Sequence, residues 1–245
     1  MPAHWYTGIV KEIKSLSNSV RSFTLEIPEV SSFDFKAGQF ITFDLPVGEK
    51  RLQRWRSYSI ASAPMGNNVV EMCIVNFGGG LGSTYFFNEI KIGTELKFKA
   101  AEGGFVLPDV VDHDIVMICT GTGVAPFRSM LYDIHINKKV HKNIHLIFGT
   151  RKKDDILYYD EFIELTHKIK GFKYDIALSR ESDLIKTKNI HNGYVHPIYM
   201  NEYSTTRNDI HFYICGWSAM IDDAVANLLI ELKYPRENIH YELYG

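Results

Sequence analysis

Apolar and polar positions follow one rhythm in the first hundred or so residues and a different one in the rest. In Val20-Arg21-Ser22-Phe23-Thr24-Leu25-Glu26-Ile27 and in Gln39-Phe40-Ile41-Thr42-Phe43-Asp44-Leu45 the apolar side chains largely alternate, the pattern of a half-buried strand. Val69 to Val75 and Glu95 to Ala100 read as further strands, and Thr84 to Ile90 as a helical interruption. Turn residues at Pro28, Gly38, Pro46, Gly66-Asn67-Asn68 and Gly93 separate these segments. Short strands at this spacing predict a closed antiparallel barrel.

From about Asp114 strands alternate with helices. Ile115-Val116-Met117-Ile118-Cys119 is almost continuously apolar, as a parallel strand covered on both faces must be. A helix from Pro126 to about Asn137 follows, with proline in its first turn. Then come a strand at Ile144 to Phe148, a helix near Tyr158 to Ile169, and strands at Tyr174 to Leu178 and His211 to Cys215. A helix from Ser218 to Lys233 and a last strand at Ile239 to Leu243 complete the series. The expected class is therefore β + α/β: an antiparallel barrel domain over residues 1–109, then a doubly wound parallel-sheet domain over 110–245.

Composition adds little and excludes some partners. A net charge of -2 gives no drive toward nucleic acid or an anionic membrane, and no apolar run is long enough to span a bilayer. The three cysteines, Cys73, Cys119 and Cys215, lie too far apart in sequence for an iron–sulfur or zinc motif. An odd count with no export signal at Met1 to Tyr6 fits a reduced, cytoplasmic protein.

Chemistry concentrates in five short segments. Arg56-Ser57-Tyr58-Ser59 offers a guanidinium for a pyrophosphate, a phenol face for a planar ring and hydroxyls; an ordinary barrel strand is the plain alternative. Gly78-Gly79-Gly80-Leu81-Gly82-Ser83-Thr84 sets free backbone donors and a hydroxyl cap at a helix start, the makings of an anion site. Gly121-Thr122-Gly123-Val124-Ala125-Pro126 turns from an apolar strand into a helix, at the strand end where ligands bind in open α/β sheets. Ser179-Arg180-Glu181 follows the third strand of that domain and Arg151 the second; a serine hydroxyl beside an arginine, with a second cation near, suits the ribose phosphate of NADP, and solvated loop arginines are the plain alternative. Cys215-Gly216 ends another strand at the same edge, either as packing or as the border of a redox site. Two ligand sites of this kind in one chain point to electron passage between two cofactors.

With these segments in view, the chain resembles the ferredoxin–NADP reductase family over nearly its whole length. The resemblance rests on R-S-Y-S-I-A-S, the G-x-x-S of Gly80 to Ser83, G-T-G-V-A-P-F-R-S, S-R-E, C-G-W-S-A-M and the closing Glu242-Leu243-Tyr244. It implies FAD, with Arg56 on the pyrophosphate, Tyr58 on the isoalloxazine, Ser59 near N5, and Ser57, Ile74, Gly80, Leu81, Gly82 and Ser83 also on that cofactor. It implies NADP(H), with Gly121, Thr122, Gly123, Pro126, Cys215 and Gly216 around the nucleotide and Arg151, Ser179 and Arg180 at the 2′-phosphate. Ser59, Cys215, Glu242 and Tyr244 would serve catalysis, with Tyr244 covering the flavin and Glu242 assisting proton movement. The chain departs from the family at Gly245, which follows the usually terminal tyrosine, at Trp217-Ser218, and at Ile74-Val75-Asn76, which lacks basic residues often found there.

The resemblance implies a monomeric enzyme that exchanges hydride between NADPH and FAD, and single electrons with a ferredoxin or flavodoxin. Lys36, Arg51 and Arg54 are the expected basic rim for such an acidic carrier. The alternatives are an NAD(P)H-dependent reductase component of a multicomponent oxygenase and a non-catalytic flavin-binding electron-transfer subunit.

Overall fold

The computed structural model describes residues 4–181 and 187–243, and they form two compact units. The first runs to Leu107 and takes in Ala125–Asp133; the second comprises Pro108–Val124 and the chain from Ile134 on.

In the first unit the strands are β1 (Trp5–Ser15), β2 (Val20–Glu26), β3 (Phe40–Asp44), β4 (Trp55–Ser59), β5 (Val69–Val75) and β6 (Glu95–Lys99). They form one antiparallel sheet in the order β4-β3-β6-β1-β2-β5. Just beyond β4, Ile60 bridges Met72 of β5, which joins the two edge strands and closes the barrel. Closure removes both sheet edges and lets alternate side chains fill the interior. Phe23, Leu25, Ile41, Phe43, Met72 and Phe98 are fully buried there. A single helical turn, α1 (Arg51–Arg54), precedes β4, and α2 (Leu81–Asn88) follows β5. Helix α2 plugs the barrel with Phe86, whose ring lies 5.1 Å from Phe23, 5.4 Å from Phe43 and 5.2 Å from Tyr58 in edge-to-face contacts. Each such pair contributes about 1 kcal/mol beyond its buried area.

In the second unit six strands are all parallel: β7 (Asp114–Thr120), β8 (Ile144–Thr150), β9 (Phe172–Leu178), β10 (Ile190–Asn192), β11 (Ile210–Gly216) and β12 (Ile239–Leu243). Their spatial order is β10-β9-β8-β7-β11-β12. After β7 the chain steps outward through β8, β9 and β10, then returns to place β11 on the other side of β7. The order therefore reverses between β7 and β11, which opens a crevice at their carboxyl ends. Residues of α3 (Ala125–Ile136), α4 (Tyr159–Lys168), α5 (His196–Glu202) and α6 (Ser218–Ala226) make up the helices after β7. Tyr199 of α5 and Ile221 and Ala224 of α6 pack on one sheet face with Ile118, Ile147 and Phe212. Phe162 of α4 meets Tyr174 on the opposite face, 5.2 Å between rings. The sheet is thus covered on both sides, as its apolar strands require.

Three differences from the sequence expectation have local causes. Helix α6 gives way to a π turn at Asn227–Glu231 instead of running to Lys233; the wider turn lets Leu228 and Leu232 both reach the core, and Lys233 ends it at φ 59°. Strand β10 has three residues and α5 seven, too short for a periodic signal. Helix α2 begins at Leu81, not Thr84.

One buried polar network interrupts the second core. The Asp175 carboxylate accepts from His145 Nε2 and His191 Nε2, each at 2.8 Å, and from Lys173 Nζ at 2.9 Å. His145 Nδ1 lies 2.8 Å from the Tyr203 hydroxyl. Burial pushes the Asp175 pKa up, but these hydrogen bonds outweigh it and hold the carboxyl well below the ordinary carboxylate range. Among the described residues His145, Asp175 and Glu202 stand close enough to grip a metal ion. Lys173, which pairs with both acids, supplies the cation there.

Candidate functional site

In the first unit, Arg56, Tyr58 and Gly82 converge. A Cβ placed on Gly82 would lie 2.8 Å from Arg56 Cγ and 3.0 Å from the Tyr58 hydroxyl, so only glycine lets α2 start this close to β4. Arg56 Nη1 donates to the carbonyls of Leu52 and Trp55, 2.7 Å each, which fixes the root of its guanidinium. Tyr58 packs beside Phe43 and Phe86, and burial pushes its phenol up to about 12 against a smaller pull from Arg56. It is a neutral hydroxyl at any physiological pH. Ser59 is buried, and the Ser57 hydroxyl lies 2.9 Å from that of Thr42.

The glycine-rich turn differs from the expectation in its cap. Gly80 is the cap residue of α2 and no side chain caps it. Ser83 lies in the first turn instead, and its hydroxyl bonds within the loop, to the carbonyls of Phe77 and Gly80 at 3.1 Å and from the amide of Phe77 at 3.2 Å. It holds the turn in shape, leaving the first backbone amides of α2 as the donors for an anion. Gly79 has φ +82°, which glycine adopts without strain. Leu81 is exposed beside this turn. Ile74, expected at the cofactor, has its side chain in the barrel core because strand alternation turns it inward.

This set fits a flavin dinucleotide. The start of α2 packs so closely on β4 that a single added methyl group would clash, which sets its first amides beside a cation and an aromatic hydroxyl. Together they match the pyrophosphate and ring of such a ligand.

In the second unit the crevice between β7 and β11 is built from backbone. A Cβ on Gly123 would stand 2.7 Å from both the Cys215 carbonyl carbon and the Gly216 Cα. Gly216 has φ +142° and packs on Thr120, whose Oγ1 accepts from the Trp217 amide at 3.2 Å. Gly121, at φ +53°, makes the turn out of β7. Thr122 is part-exposed and Pro126 is buried at the second position of α3. Cys215 is fully buried and registers beside Cys119, itself buried with its thiol pKa pushed well up by desolvation. Glu242 pairs with Cys215 across β11 and β12. Tyr244 lies outside the described residues.

Two strands away the ends of β8 and β9 are zipped together. The Ser179 amide donates to Thr150 O at 3.0 Å and the Arg180 amide to Arg151 O at 2.8 Å. This register sets exposed Arg151 beside exposed Arg180. The Ser179 hydroxyl donates to Thr150 O at 3.3 Å. Glu181 turns back onto the Lys153 amide at 3.0 Å, away from any ribose role. These backbone zips are what sequence reading missed; only the position of each residue after a strand pointed to them.

Comparison with known proteins agrees with this division. Residues 7–107 match the model of an oxidoreductase FAD-binding domain and residues 117–226 that of an oxidoreductase NAD-binding domain. Ferredoxin–NADP reductase B of Sorangium cellulosum is 30% identical over 95% of this chain and 94% of its own length. The electron transfer component of a Burkholderia cepacia 2-halobenzoate 1,2-dioxygenase is also 30% identical, over 98% of this chain but 67% of its own length. The chain spans about two thirds of the length of the oxygenase reductase components it matches. A ferredoxin NADP+ reductase from Neisseria gonorrhoeae, solved with bound FAD and NADP, superposes with a TM-score of 0.81 at 24% identity, covering 98% of this chain and 99% of that one. No described helix is long and apolar enough to cross a membrane.

Proposed function

The chain belongs to the ferredoxin–NADP reductase family, and from that premise we propose that it exchanges hydride between NADPH and FAD and single electrons with a ferredoxin or flavodoxin. It is an oxidoreductase with an FAD-binding and an NAD-binding domain, which we place at 1–109 and 110–245. The observation that carries the reading is the presence of two glycine-dependent close approaches of different chemistry in one chain: the start of α2 against Arg56 and Tyr58, and the turn after β7 against Cys215-Gly216.

FAD, when bound, takes up a hydride from NADPH and releases its electrons one at a time. The residues supply position and charge. Arg56 and the α2 amides hold the pyrophosphate, and Tyr58 gives an aromatic wall that stays neutral. Gly121 to Gly123 let the nucleotide backbone approach the sheet edge, while Arg151, Arg180 and Ser179 take the 2′-phosphate. Ser59, Cys215 and Glu242 are the groups assigned to the reacting ends. Among the cations expected to meet an acidic carrier, Arg51 lies 4.7 Å above the Trp55 ring and remains exposed, whereas Arg54 is already paired with Asp44. The protein is read as a cytoplasmic monomer.

An anaerobic titration tests the reading. Purified protein should show a flavin spectrum that NADPH bleaches at far lower concentration than NADH. Preferential bleaching by NADH would favour the second reading, a reductase component of an oxygenase, which the Burkholderia relative supports. Failure to bind added FAD would overturn the assignment.

A further inference from the structure

The order of the strands gives the bound dinucleotide a direction. Arg180 follows β9, Gly121 to Gly123 follow β7, and Cys215-Gly216 end β11. These strands lie in the order β9-β8-β7-β11. Three strand spacings of about 4.8 Å separate the first from the last, roughly 14 Å along the carboxyl edge. A dinucleotide whose 2′-phosphate sits at β9 and whose pyrophosphate sits at the glycine turn therefore brings its nicotinamide end to the carboxyl end of β11.

The side chain at that place is Trp217. It is 56% exposed, unusual for an indole on a folded surface. Its backbone does not drift: the amide donates to Thr120 Oγ1, and Gly216 before it is wedged against the same threonine. Helix α6 begins immediately after, at Ser218. An aromatic plate is thus mounted on a fixed root at the end of β11.

We propose that Trp217 is the surface on which the nicotinamide half of NADP(H) stacks, and that it holds the oxidised form more tightly than the reduced form. This rests on the nucleotide reading above and names the specificity device within it. The oxidised ring carries a positive charge, so it gains a cation–π attraction over the indole in addition to stacking, while the neutral reduced ring gains stacking alone. Trp217→Leu should weaken NADP+ by roughly 10-fold and NADPH by only about 3-fold. The native indole would then retain the oxidised nucleotide and bias the enzyme's nucleotide exchange.

The FAD-loaded protein, labelled with 5-fluorotryptophan at Trp5, Trp55 and Trp217, gives three fluorine resonances, and Trp217→Phe identifies the third. The Trp217 resonance should shift on titration with NADP+ and stay in place with 2′,5′-ADP, which lacks nicotinamide. Calorimetric binding of NADP+ with an unmoved Trp217 resonance would overturn this proposal alone. Equal losses of NADP+ and NADPH affinity in Trp217→Leu would overturn the redox preference. Absence of NADP+ binding would overturn it together with the nucleotide reading.

Discussion

Gly123 and Cys215 are interlocked through their backbones: the Cα of Gly123 faces the Cys215 carbonyl so closely that a Cβ would lie 2.7 Å from its carbon. The carbonyl belongs to a strand hydrogen-bonded on both sides and cannot give way as a flexible side chain would. Gly123→Ala should therefore destabilise the second unit by about 2 kcal/mol, in the range of overpacking, and weaken nucleotide binding as the turn is displaced. Thermal unfolding and NADP+ calorimetry measure both effects. An alanine variant with native melting temperature and native affinity would show that the turn is not set by this contact.

The same reasoning separates ligand loss from unfolding in the first unit. A side chain at Gly82 would strike Arg56 Cγ and the Tyr58 hydroxyl, at the polar rim of the barrel and not among its fully buried residues. Gly82→Val should leave far-ultraviolet circular dichroism unchanged and reduce FAD affinity by at least 10-fold, as Arg56 and Tyr58 are displaced. Full FAD occupancy in that variant would remove Gly82 from the site.

Much of this was legible in the sequence, for physical reasons that differ by segment. Ile115 to Cys119 announces a central parallel strand because both its faces are buried, and no surface strand would read that way. Barrel strands such as Phe40–Asp44 are legible through alternation. The glycine turn after β7 is marked by its place between a strand and a helix. Tertiary contacts decided the rest. Ser83 reads as a ligand or a cap, and only the folded loop shows its hydroxyl closing on Phe77 and Gly80. Ile74 is expected at the cofactor from the resemblance alone, and alternation with Val70 and Met72 along β5 puts its side chain in the barrel core. The His145–Asp175 network joins residues 30 positions apart, which no local pattern could reveal.

That network carries a pH dependence of definite sign. Asp175 is 3% exposed and its folded pKa is held below the unfolded value of about 4. A depressed carboxylate pKa contributes stability that is present above the unfolded pKa and lost as pH falls through the folded one. Asp175→Asn, which leaves Lys173 and the two histidines facing a neutral amide, should cost about 3 kcal/mol at pH 7. The gap between native protein and variant should hold from pH 7 to about 5 and narrow below about 4. Urea denaturation at pH 7, 5 and 3 reads it directly. A gap that widens in acid would mean that the network draws its stability from the histidines' charge and not from the carboxylate.

Cofactor preference gives the most direct test of the edge formed by β8 and β9. The backbone bonds from Ser179 to Thr150 and from Arg180 to Arg151 set the main chains of two exposed arginines side by side, while Glu181 is turned away onto Lys153. Cations without a competing carboxylate favour a ribose that carries phosphate over one that carries free hydroxyls. Removing one charge-assisted contact costs about 2 kcal/mol, so Arg180→Ala should weaken NADPH by roughly 30-fold. NADH, which has no 2′-phosphate, should change by less than about 3-fold, since the residue then has nothing to grip. Steady-state NADPH and NADH oxidation with ferricyanide as acceptor gives both numbers from one preparation. Equal losses for the two nucleotides would mean that Arg180 supports the loop and does not read the phosphate.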